Sequence, residues 1–136
     1  DFLKNKTFFY VEGWDKPVLN DVLFLRVGKT EEKKFLLLAK VSEKETKRFV
    51  NENQVAQKID YKITVDYSLK DASNKCAEIK NRQTSSFSFT PKSSGYNFAS
   101  DILLQNLYQE AVLVNVDNFL SFANDKIRSY GCLDEG

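Results

Sequence analysis

The chain has no histidine and no methionine, and it holds only two cysteines, one tryptophan, five glycines and two prolines. Each shortage removes something. Without histidine there is no Ser–His or Cys–His dyad, no imidazole metal ligand and no histidine pH switch. Two cysteines, Cys76 and Cys132, are too few for a cysteine-rich structural zinc site. The longest apolar run is Phe35 to Ala39, so no segment is long enough to span a bilayer. Gly13, Gly28 and Gly95 are isolated and form no phosphate-cradling loop. Neither sign of charge dominates: 20 Lys and Arg stand against 19 Asp and Glu, and a net charge of +1 gives no reason to expect general nucleic-acid affinity. The chain opens on Asp1, which together with the lack of methionine reads as loss of an upstream segment, by leader cleavage or by trimming.

What is present is enough for a core. The 136 residues fit one domain, 1–136, and 42% are hydrophobic, with 11 Phe and 6 Tyr among them. The clearest pattern runs from Val55 to Leu69. Its odd positions are apolar or aromatic except Gln57, and its even positions are polar except Ala56. Period-two alternation of this length predicts a strand with one buried and one wet face, as in an antiparallel sheet. Lys70 to Lys75 is a polar turn cluster, and Ala77 to Thr90 is the returning strand, ended by Pro91. Lys34 to Ser42 reads as an earlier strand running on to Phe49, with Asn51-Glu52-Asn53 as the turn.

The last third is helical from Ser100, a candidate N-cap, to about Arg128. Leu104, Tyr108, Val112, Val116, Phe119 and Ala123 form its apolar stripe, and Asn115 on the stripe edge needs a partner if buried. Near the start, Thr7 to Val11 reads as a strand, and Asp15 with Pro17 opens a short helix closed by Gly28. A strand over Val22 to Val27 is the rival reading there. The expected fold class is α+β: a mostly antiparallel sheet of about four strands with two helices packed on one face.

No residue constellation argues for catalysis. Asp60 and Asp66 lie on the wet face of a strand, and neither cysteine has a histidine to activate it. The expectation is a non-enzymatic binding protein that needs no cofactor and no metal. Cys76 and Cys132 could pair in an oxidising compartment, the alternative being two unpaired thiols. Lys44, Lys47 and Arg48 near the first hairpin tip, Lys58 and Lys62 on the wet face, and Lys92 after the last strand could meet phosphates or carboxylates; plain solubility is the competing explanation.

The order of elements carries a family likeness. The stretches LLLAKVS and YKITVDYSLKD, the strand end SFSF, and SGYNFASDILLQNLYQEAVLVNVDNFLSFA resemble the LPS-assembly lipoproteins, the LptE-like family, over roughly Lys34 to Lys126. The segment Tyr96, Asn97, Phe98, Ala99 is similar to the one that leads into that family's last helix. The resemblance implies a lipid-anchored protein at the periplasmic face of the outer membrane, acting as plug and partner of an LptD-like β-barrel, with lipopolysaccharide as a second ligand. It implies no nucleic acid and membrane association only through an anchor outside this chain. It also implies basic residues near the first hairpin and before the last helix. Lys47 and Arg48 fit the first place; at the second stands Ser100, and Lys92 is the nearest lysine. The family's lipid-bearing cysteine is neither Cys76 nor Cys132. Set against this reading is an exported binding module, inhibitor or adhesin-like, of an unrelated α+β family.

Overall fold

The structure is a computed structural model, which describes residues 2–14, 16–49, 57–90 and 98–130. Six elements follow in order: β1 (Thr7–Gly13), α1 (Lys16–Val27), β2 (Phe35–Phe49), β3 (Gln57–Asp71), β4 (Ile79–Phe89) and α2 (Phe98–Tyr130). The strands form one sheet in the order β1-β2-β3-β4. β2, β3 and β4 are an antiparallel meander, whereas β1 pairs with β2 in parallel. The parallel pair follows from connectivity, because α1 carries the chain back so that β2 runs in the direction of β1. The fold is therefore α+β, with both helices contributing to one core on one face of the sheet.

Alternation decides that face. Tyr61, Ile63, Val65, Tyr67 and Leu69 are buried, while Lys62, Asp66 and Lys70 are exposed. On β2 the inward set is Phe35, Leu37, Ala39 and Val41. α2 runs against β4 and β3 through Tyr108, Val112, Val116 and Phe119, with Phe119 stacked on Tyr67 at 4.0 Å. α1 buries Leu19, Val22, Leu23 and Val27, which settles this segment as helix rather than strand. Arg26 of α1 pairs with Asp117 of α2 at 2.7 Å, on the outside of the helical layer.

Buried Asn115 has the partners it needs. Tyr67 Oη donates to its Oδ1 at 2.7 Å, and its Nδ2 donates to the Gln83 carbonyl at 2.9 Å. One amide thus joins α2 to both β3 and β4. It also explains the polar middle of β4's inner face, where Gln83 and Ser85 are half-buried. An unmet polar group here would cost far more than the net gain of one hydrogen bond, so the network fixes the helix's position along the sheet.

Two glycines are required by geometry. Gly13 has φ +106°, and a Cβ there would lie 2.0 Å from the Val41 carbonyl oxygen. Gly28 closes α1 at φ +74°, donating its N–H to the Phe24 carbonyl at 2.8 Å. Ser100 is not the N-cap of α2, because the helix already includes Phe98 and Ala99; the turn signals of residues 94–97 lie outside the described residues. So do the expected turn at Asn51-Glu52-Asn53, the start of the third strand at Val55 and Ala56, and Pro91.

Candidate functional site

The face of the sheet turned away from the helices is assembled from the even-numbered residues of every strand. Lys40, Lys44 and Arg48 come from β2, and Lys58, Lys62 and Lys70 from β3. β4 adds Lys80 and Arg82. Only Glu12, Asp60 and Asp66 of the strands oppose them there, so a nearly neutral chain presents a strongly basic face. Both aspartates are already engaged by arginine. Arg48 Nε lies 2.7 Å from Asp60, which also accepts from Ser88 at 2.6 Å. The Ser88 hydroxyl and then Arg48 hold Asp60 below the usual carboxylate range, outweighing a smaller desolvation. Arg82 Nε lies 2.6 Å from Asp66. Glu78, just before β4, accepts from the Ser68 hydroxyl.

Lys44 stands directly opposite Lys62 in the β2–β3 register, and Arg48 stands opposite Lys58. Like charges facing each other across strands destabilise a sheet. Among the described residues neither Lys44 nor Lys62 has an ion-pair partner within 4.0 Å. They line a shallow cleft of about 450 Å³ with Thr46, Asp60, Ser86 and Ser88. Two ammonium groups and the hydroxyls of Thr46 and Ser86 suit an anionic group that accepts several hydrogen bonds, the Ser88 hydroxyl being given to Asp60.

The sequence-derived site residues are not brought together. Lys47 and Arg48 are neighbours on an extended strand and therefore point to opposite faces: Lys47 pairs with Ile59 on the helical side, Arg48 with Lys58 on the outer side. Lys92 lies outside the described residues. Cys76 is disulfide-bonded, and Cys132, the chain's other cysteine, lies outside the described residues. The Lys44–Lys62 juxtaposition could not be found from sequence, because the register depends on a connection whose length and shape alternation does not fix.

The outer face has a second character at its β1 end. Phe8, Tyr10, Leu36 and Leu38 are all exposed there, with Tyr10 at 60%. The signal was the uninterrupted run Phe35 to Ala39, since a strand apolar at every position has two apolar faces. A separate cleft of about 430 Å³ opens on the helical side, between Val18, Asp21, Glu45, Tyr61, Leu104 and Tyr108. Burial first, then Glu45, pushes the Tyr61 hydroxyl up to about 12. Its carboxylates make that cleft unsuited to anions. Among the described residues no group of three or more His, Cys, Asp or Glu could hold a metal ion, and no described helix is long and apolar enough to cross a membrane.

Comparison with solved structures bears on this arrangement. The chain is similar to rare lipoprotein B from Shewanella oneidensis, with a TM-score of 0.62, 10% identity, and coverage of 92% of this chain and 99% of that one. It is also similar to a candidate lipoprotein of Caulobacter crescentus CB15, with a TM-score of 0.59, 20% identity, and coverage of 90% and 93%. At these identities the likeness shows a shared fold. No family model matches the chain, and no curated protein sequence is significantly similar to it.

Proposed function

We propose that this chain is a non-enzymatic, lipid-anchored component of outer-membrane lipopolysaccharide assembly, acting as plug and partner of an LptD-like β-barrel. The observation that carries this reading is the basic outer face of the sheet, centred on the opposed Lys44 and Lys62. Lipopolysaccharide presents phosphates, and ammonium and hydroxyl groups at one cleft are what phosphate oxygens require. A sheet face rich in Lys, Ser and Thr also suits the hydrated lumen of a large barrel. The shared fold with two structures named as lipoproteins supports the same placement. So does a disulfide at Cys76, which fits an oxidising compartment such as the periplasm.

The test is lipopolysaccharide pull-down and barrel co-purification with Lys44→Glu/Lys62→Glu. Lipopolysaccharide capture is expected to fall about tenfold or more, with the far-UV circular dichroism unchanged. Unchanged capture by the double variant would remove the proposed anion site. Failure of the wild-type chain to co-purify with any outer-membrane barrel would remove the partnership.

A further inference from the structure

The two edges of the sheet are built differently. β4 protects its edge with Lys80 and Arg82 and a row of polar residues, as edge strands commonly do. β1, the other edge, reads TFFYVEG: it has no proline, no lysine and no arginine, and Glu12 is its one charge. Phe8 and Tyr10 on its outer side are 49% and 60% exposed. No described strand pairs with its free side. Lys33 holds its ammonium 4.7 Å from the centre of the Phe8 ring, so a positive charge sits over one end of this strand while Glu12 sits at the other.

That arrangement is self-complementary. When a strand pairs antiparallel with its own copy, opposed residues share a face, so the two-fold axis must pass through a residue. An axis at Tyr10, the middle of β1, is the one that pairs all its residues. It sets Tyr10 against Tyr10 of the second copy on the outer face and Phe9 against Val11 on the helical face. It also sets Phe8 against Glu12 of the second copy, which brings that carboxylate toward Lys33. The two-fold repeats this ion pair at the other end.

We propose that β1 is a dimerisation edge, on which a second copy of this chain adds antiparallel about Tyr10 to make one continuous sheet. Apolar contact among Phe8, Tyr10, Leu36 and Leu38 of both copies holds the pair, and the Lys33–Glu12 charges set its direction and register. This does not depend on the function proposed above, because the Lys44–Lys62 cleft lies beyond it on the same face.

Sedimentation equilibrium over roughly 5 to 500 µM tests it. The wild-type chain is expected to show a concentration-dependent dimer. Glu12→Lys and Lys33→Glu should each weaken it about tenfold, since each puts like charges together at both ends. An equimolar mixture of the two variants should dimerise again, because each then meets the opposite sign. The double exchange Glu12→Lys/Lys33→Glu should behave like wild type. Lys33 is exposed and Glu12 half-buried, and far-UV circular dichroism checks that the variants are folded. A wild-type chain that stays monomeric throughout overturns the proposal. So does a dimer indifferent to either reversal, or a mixture of variants that stays monomeric.

Discussion

On β3, Tyr61, Ile63, Val65 and Tyr67 alternate with Lys62, Thr64 and Asp66, and the two sets answer to different neighbours. The inward set meets α2, and its chemistry is set by burial and by the requirement that polar groups such as the Tyr67 hydroxyl find partners. The outward set meets solvent, and it tolerates opposed lysines that no buried surface would accept. One face is arranged for stability, and the other gives up a little stability for a field of positive charge. Changes on the first should therefore alter folding, and changes on the second should alter binding while leaving folding nearly untouched.

The sharpest break of that contrast is Phe119→Ala. It empties the site stacked on Tyr67 in the fully buried layer under β3 and β4. It should cost about 3–5 kcal/mol in a urea or thermal unfolding measurement. A loss below ~1 kcal/mol would mean that α2 does not seal the inner face.

An intermediate effect is expected where the inner face ends. Asp71 is 7% exposed. Burial raises its affinity for a proton, but the N–H and hydroxyl of Ser73 and the N–H groups of Lys75 and Cys76 together outweigh that and hold the carboxyl below its ordinary range. A carboxyl depressed in the folded state contributes stability above its unfolded value of ~4 and loses it as pH falls toward the folded value. Melting temperature should therefore drop on acidification below about pH 4, and Asp71→Asn should flatten that drop. An identical acid profile in the variant would show that the turn does not depend on the ionised form.

The smallest effect is on the outer face. Lys62→Gln removes one of two opposed charges and should stabilise the fold by a few tenths of a kcal/mol at low salt, with the gain shrinking as salt is added. A destabilisation of 1 kcal/mol or more would show that Lys62 has a structural role, and the division between the two faces would fail on β3.

Most of the strand pattern was readable because burial on one face imposes period two. Tyr61, Ile63, Val65, Tyr67 and Leu69 all went inward as that pattern requires. The helix over Val18 to Val27 was readable from spacing and from Gly28, and the need for a partner at Asn115 was readable from its place on an apolar stripe. The parallel placement of β1 was not, because strand direction is set by how α1 packs rather than by any residue within β1. The same limit hid the site. Lys47 and Arg48 stood out as a basic pair in the chain, yet a strand's pleat sends them to opposite faces.

By itself, then, the amino-acid order determined which residues would be inside, the α+β class and the lengths of the long strands and helix, since these follow from local periodicity and hydrophobic burial. Only the tertiary structure decided that Lys44 would face Lys62, that Asn115 would bridge two strands and that β1 would stand at the edge of the sheet formed by the described residues. Those outcomes depend on strand register, strand order and helix placement. They are properties of segments far apart in the chain meeting at fixed offsets, and no local pattern specifies such an offset.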